Sequence, residues 1–345
     1  MAQIRSYTNA FEIVDYTQEI NVVPNSWTLL GDMGLFQKEM LSTHTVTFEE
    51  RNKTLALISD QIRGAKPVAN QDELRKIHSY PIPHFPDVDY IVPQDIQGKR
   101  AYGSATAAET LDGVIMRKLE RLKRNISITQ EVARFKTLTT GNVYAPSGSV
   151  TGNFYTDYGL TQVSVDFVLG TAGTDVLGKT ESVIASMQDT AVNGDVITQV
   201  VAFCSPEWFA KFIAHAKVQT AYQYYTATDG QSILRNRAGN FGGLGALYRE
   251  FYFGGVRFIE VRTSLGGVRL VPAGEVAFVP LGTVDSFCSF FGPANKLDLV
   301  NTIAEESYAF MYKDPKGENM QIDTEFNVIN ILRRPLLVVK GTTSN

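Results

Sequence analysis

AAETLDGVIMRKLERLKRNISITQEVARFKTL, residues 107–138, is the stretch that decides the fold. Leu111, Ile115, Leu119, Leu122, Ile126, Val132, Phe135 and Leu138 recur at steps of roughly three and four, with Arg and Lys between them. That is the period of an amphipathic helix. Gly141 and Asn142 supply its stop. At 1.5 Å per residue such a helix is a rod of about 48 Å. A compact globule of this chain's 345 residues has a radius of gyration of roughly 20 Å, hence a diameter of about 50 Å. A helix that crosses the whole protein favours an elongated, plate-like body over a sphere.

Upstream of the helix the chain reads as extended. TVTFEERNKTLALIS (45–59) is strand-like, and LRKIHSYPIPHFPDVDYIVPQDI (74–96) is a second extended run. Between them RGAKPVANQDE (63–73), rich in Gly, Pro, Asn and Asp, reads as the tip of a long hairpin. Prolines at 81, 83, 86 and 93 forbid helix there and restrict pairing in a central strand. An isolated hairpin is marginal in water, so Val46, Phe48, Leu55, Leu57 and Ile91 are expected to need cover from another subunit. Residues 1–44 hold only short apolar patches, FEIVDY, INVVP and WTLLGDMGLF, separated by polar or Pro/Gly breaks. They read as an arm that borrows order from whatever it lies upon.

Downstream, QVSVDFVL (162–169) alternates as a strand, and 176–192 reads as a helix. QVVAFCS (199–205) reads as a buried strand, and Ser205-Pro206-Glu207 caps a single helix over WFAKFIAHAKVQTAYQYY (208–225). FYFGGVRFIEV (251–261) and VRLVPAGEVAFVPLG (268–282) suggest a central sheet flanked by helices. The last segment, 297–342, holds strand-like runs, LDLVNTI…YAFMYK and EFNVINILRRPLLVVK. With 44% apolar and 20% charged residues and a net charge of −4, the chain is globular. That charge does not mark it as a nucleic-acid or membrane binder. Cys204 and Cys288 sit in apolar surroundings and read as small core residues. The N-terminus has no apolar segment of signal-peptide length, and no run approaches a membrane span.

Four motifs, in this order, resemble the major capsid proteins of tailed phages, specifically the lambda-like capsid protein E family. They are CSPEWFAKFI (204–213), FYFGGVRFIEV, AGEVAFVPLGTVDSFCSFFGPANKLD (273–298) and INILRRPLLVVKG (329–341). The likeness spans almost the whole chain and rests on order and spacing. It implies an α+β tailed-phage capsid fold with five parts: an N-terminal arm (1–44), an extended hairpin loop (45–95), a peripheral domain with a spine helix (96–165), an axial domain (166–295) and returning peripheral strands (296–345). It also implies a structural, non-enzymatic subunit that assembles with itself into pentamers and hexamers. The icosahedral shell would enclose packaged double-stranded DNA without reading its sequence. A portal protein and a decoration protein are further implied partners. Because no long charged helical region precedes the hairpin, the resemblance points to a separate scaffolding protein. Localisation in the virion, and in the host cytoplasm before assembly, follows from the same likeness. Two other readings stay open, an encapsulin-like compartment shell and an α/β enzyme.

Chemistry-bearing residues are few. His44, His78, His84 and His215 lack the spacing of a metal site, and GNFGGLGAL (239–247) lacks the pattern of a phosphate loop. No catalytic residue, cofactor or metal site is expected. The one concentrated charge feature is Arg117, Lys118, Arg121, Lys123 and Arg124 on the long helix. It reads as a solvated face with Glu120, as a partner for Glu49 and Glu50 of a neighbouring subunit, or as a contact with packaged DNA. The last is least favoured, because strong phosphate binding would impede DNA that must slide. Inter-subunit contacts are therefore expected at Phe48, Glu49, Glu50 and Leu55 and at these five cations.

Overall fold

A computed structural model of the chain describes residues 14–15, 17, 20, 28–51, 75–99, 109–148, 150–191, 196–226, 249–261, 264–265 and 267–344. In chain order the elements are β1 (Val14–Asp15), α1 (Leu29–Asp32), β2 (Gln37–Met40), β3 (Thr45–Arg51), β4 (Arg75–Pro81), β5 (His84–Ile91), α2 (Leu111–Thr140), α3 (Phe154–Asp157), β6 (Ser164–Asp166), α4 (Val176–Thr190), β7 (Gln199–Cys204), α5 (Pro206–Ala214), α6 (Ala216–Thr226), β8 (Glu250–Phe253), β9 (Val256–Glu260), β10 (Ser264–Leu265), β11 (Val268–Arg269), β12 (Glu275–Leu281), β13 (Phe287–Phe291), β14 (Tyr308–Lys313), β15 (Met320–Leu332) and β16 (Val339–Thr342).

The long helix α2 begins where the Thr110 side chain accepts a hydrogen bond from the Gly113 amide. It ends on Gly141, whose left-handed φ of 69° closes the last turn. No larger residue fits there, since a Cβ on Gly141 would lie 2.5 Å from the Tyr155 ring. Two six-stranded sheets complete the body. The first runs β1-β14-β15-β13-β2, with β5 also paired to β15; the second runs β6-β16-β12-β7-β9-β8. The alternating faces of β14 and β15 divide the first sheet. Ala309, Met311 and Ile322 pack with Val114, Leu119 and Leu122 of α2. On the opposite face Tyr308 and Phe310 make a small cluster with Ala294 and Leu299. In the second sheet, Gly254 (φ 55°) and Gly255 (φ 78°) form the two-residue β8–β9 turn that needs left-handed backbone twice. One apolar cluster joins Phe135 of α2 to Phe203 and Val279 of the second sheet and to Phe287 and Leu332 of the first.

Several local expectations are corrected. The second arm of the expected hairpin is two strands: β4 pairs with β3, and β5 leaves that ribbon to pair with β15. Pro81 and Pro83 mark the change of partner. At the edge of the sheet β5 tolerates Pro86, which has no amide to donate. Val46 and Ile91 are buried, and Phe48 packs on the main core, so these three have cover within their own chain. Leu55, Leu57 and the tip at 60–73 lie outside the described residues. The single helix expected over 208–225 is two, because His215 takes extended backbone (φ −66°, ψ 131°) between them. Its Nδ1 accepts from the Lys217 amide, and its Nε2 lies 3.0 Å from the Thr171 carbonyl. The imidazole thus caps α6 while tying α5 to the loop at 171. Only Ser164–Asp166 of the alternating run 162–169 is strand. Arm residues Leu29, Leu30 and Phe36 belong to the main core, and β2 pairs in parallel with β13.

Candidate assembly surface

α2 carries its five cations on the first four turns, and the structure separates their fates. Lys118 lies 3.1 Å from Asp89 and 3.6 Å from Asp95, and also donates to the Tyr90 carbonyl. Arg121 pairs with the same Asp89, which is buried at the end of β5. Arg117 reaches Glu109 at 3.1 Å. The Val92 amide, first among several influences, holds the Asp95 carboxyl below the usual carboxylate range. Lys123 is buried and donates to Ser307 Oγ at 3.1 Å, and burial lowers its ammonium pKa. Two of the five cations, Lys118 and Arg121, therefore stitch the helix to β5 and its flank, and Arg117 pairs with the residue just ahead of the helix cap. Arg124 is exposed and makes no ion pair among the described residues.

The hairpin base has two unlike faces. On the inner one Phe48 stacks on Tyr80 at 5.9 Å and meets the edge of Tyr158 at 6.3 Å. His78 meets Tyr158 at 4.7 Å. The Tyr80 hydroxyl donates to Asp157 at 2.8 Å, and burial with this bond pushes its phenol pKa upward. On the outer face Glu49 is exposed beside Ile77, which is 69% exposed. Glu50 lies in β3, and its side chain is outside the described residues. Glu49 makes no ion pair with the helix cations of its own chain among the described residues, and Arg117, Lys118 and Arg121 already have Glu109, Asp89 and Asp95.

Sequence reading missed a buried charge cluster in the second half of α2. Glu131, 1% exposed, accepts from the amides of Leu30 at 2.7 Å and Gly31 at 3.3 Å. Arg134, also buried, stands 3.7 Å from the same carboxylate. A Cβ on Gly31 would lie 2.2 Å from Thr28 Oγ1 and 2.9 Å from the Arg134 guanidinium, so the close approach of arm to helix needs glycine. Also missed was a run of exposed aliphatic side chains, Leu297 (93%), Val300 (58%) and Ile303 (73%). Their spacing within LDLVNTI carried that signal, but the run read as strand.

Among the described residues no group of three or more His, Cys, Asp or Glu is placed to hold a metal ion. Among them too, no helix is long and apolar enough to cross a membrane. Cys204 and Cys288 are buried free thiols, with burial pushing Cys288 up to about 11. His84 binds the Asn327 side chain at 2.8 Å, His78 meets the Tyr158 ring, His215 bonds backbone, and His44 is exposed. GNFGGLGAL lies outside the described residues.

Two six-stranded sheets joined to one long helix through a shared core, with ion pairs that tie helix to strand, make a body built for packing. The family described as phage major capsid protein E matches residues 13–343, and the chain belongs to it. The major capsid protein of Pseudomonas phage KPP10 is 46% identical over 99% of both chains. That of Salmonella phage Felix O1 is 25% identical over 97% of this chain and 96% of its own. The fold is shared with the capsid of Ralstonia phage GP4, at TM-score 0.51 and 11% identity over 100% and 99% of the two chains. It is shared too with a putative prophage capsid protein of E. coli CFT073, at TM-score 0.54 and 9% identity over 96% and 100%. The chain is thus a phage major capsid protein, a structural component of the virion that associates with itself. The family assignment favours the phage shell over the compartment shell and the α/β enzyme.

Proposed function

We propose that the subunit forms the pentamers and hexamers of an icosahedral shell around double-stranded DNA, and carries no catalytic activity. The first sheet with α2 acts as the peripheral unit. The second sheet acts as the axial unit that meets its copies at five-fold and six-fold axes. The pairing of β6 and β16 in the second sheet, and of β13 in the first, supports a border drawn along the sheets beside the one drawn at 165/166 and 295/296. Subunits accumulate in the host cytoplasm and assemble with a scaffolding protein and a portal, and a decoration protein is a further candidate partner.

The observation that carries the assembly reading is the two-faced hairpin base, anchored inside by Phe48, Tyr80 and Tyr158 and open outside at Glu49 and Ile77. An anchored base with an open outer face suits a lever that lies on the next subunit. Arg124, exposed beside cations that are already paired, is the favoured contact for a neighbour's Glu49 or Glu50. DNA contact by the cluster is the weaker reading, since three of its charges are matched by acids. Deleting 60–73 is expected to leave a soluble protein that gel filtration resolves as small species, while the full chain elutes as capsomers or megadalton particles. Normal particles from the deletion would refute the lever.

A further inference from the structure

The geometry points to a knob-in-groove contact between copies: residues 297–303 of one subunit seat in a groove near the start of α2 of a neighbour. This rests on the shell reading above. The knob presents Leu297, Val300 and Ile303 within seven residues, more exposed apolar side chain than any other described segment of that length carries. It is also stiff. Leu297–Leu299 forms a 3-10 turn, and Asn301 takes a left-handed φ of 61°. The Ala304 amide donates to the Leu41 carbonyl at 2.9 Å. Lys296 holds the near end over the rings of Phe310 and Tyr312, at 5.2 and 5.0 Å. Ordering such a segment on binding costs little entropy. Asp298 lies within it and Glu305 just beyond it, both exposed and without ion pairs among the described residues.

The groove, of about 350 Å³, is lined by Ile91, Val92, Pro93, Ile96, Leu111 and Met320. Lys313 stands at its edge with Glu318, and Lys316 is exposed in the adjoining turn. Neither lysine makes an ion pair among the described residues. An apolar knob with an acidic rim thus matches an apolar groove with two lysines at its margin. The subunit cannot fill its own groove. Leu299 and Lys296 pack the knob onto the Tyr308–Phe310–Tyr312 face of the first sheet, whereas Ile91 and Met320 lie on the opposite face, under α2. Two copies facing each other through like knobs would oppose like charges. The contact is therefore heterologous, one surface meeting a different one, and such contacts close into rings when the rotation allows.

Paired cysteines test this directly in assembled particles, since both native thiols are buried. Leu297→Cys with Gln97→Cys, oxidised after assembly, is expected to give covalent ladders on denaturing gels, and each single variant none. Particles that form normally but yield no ladder overturn the contact and leave the shell reading standing. Failure of the unaltered chain to form any particle overturns the shell reading itself. Independently, Leu297→Ser with Ile303→Ser is expected to lower the denaturant midpoint for particle dissociation while the circular dichroism of the dissociated subunit stays unchanged. Asp298→Lys is expected to lower that midpoint too, and adding Lys313→Asp to restore it. Midpoints unmoved by these changes also sink the proposal.

Discussion

The two halves of α2 obey different rules. From Leu111 to Ile126 one stripe is buried against the first sheet while Met116, Glu120 and Arg124 face water. From Glu131 to Leu138 burial surrounds the helix almost completely, and it includes Glu131, Arg134 and Thr137. The first half is a rib laid on a sheet, and the second is an axle through the core. Between them the hydroxyls of Ser127 and Thr129 donate to the carbonyls of Lys123 and Asn125, a back-bonding pattern that loosens and bends helices. A helix can therefore carry unlike mechanical roles along one unbroken hydrogen-bond ladder.

If the axle is the structural heart, Phe135→Ala should be the most damaging single change. Phe135 is fully buried and meets Phe203 edge-on at 5.6 Å, so a cost of about 4 kcal/mol is expected in equilibrium unfolding of the subunit. Glu131→Ala strands the Leu30 and Gly31 amides and the Arg134 guanidinium together, at about 3 kcal/mol. A cost below about 1 kcal/mol would mean that water reaches the site.

The pH dependence of Glu131 sharpens the contrast. Burial pushes its carboxyl above the ordinary 4.5, against the opposing pull of the Leu30 amide and Arg134. The folded state therefore holds this proton more tightly than the unfolded one. The contribution to stability is present in acid and is lost as pH rises from the ordinary glutamate range through the raised folded value. Wild-type stability minus that of Glu131→Gln should decline across that window, and a flat difference would show that burial does not dominate.

On the rib, effects should be small. Arg121 is 62% exposed, so Arg121→Ala is expected to cost about 0–1 kcal/mol, and less in high salt. Replacing Asn125, Ser127 and Thr129 with Ala should act in the opposite direction, favouring helix by several tenths of a kcal/mol each. Electron microscopy of precursor and mature shells is expected to show a change of curvature at 125–129 that the triple variant suppresses. An identical helix axis in both states places the joint elsewhere.

The rib was legible because its apolar residues keep the helical period, and the end of the whole helix because Gly141 is a strong local stop. The axle was legible only through Val132, Phe135 and Leu138. Nothing local says that Glu131 and Arg134 are buried, because the segment that covers them and supplies the amides to Glu131 lies a hundred positions earlier. Pro81 and Pro83 were read only as limiting strand pairing within one extended run, and not as the place where β5 changes partner to β15, since strand pairing over such separations is set by the completed sheet. The break at His215 is of the same kind. A helical period ran through it, and only the loop carbonyl of Thr171 explains the interruption. For the surface, Phe48 and Glu49 were singled out together, yet alternation along β3 sends one inward and the other out.

The place of β16 bears on the timing of synthesis. Val339–Thr342 fills the slot between β6 and β12, with Gly341 so tightly held that a Cβ would lie 2.4 Å from Val276. A ribosome delivers this strand after every other part of the second sheet. Until then β6 has no strand beside it, and one edge of β12 is open. The first sheet waits in the same way, since β5 pairs with β15 and the buried stripe of α2 packs on Ala309, Met311 and Ile322. Both sheets thus close on strands made long after the segments they cover, and the edges they leave open until then are the ones most exposed to wrong pairing.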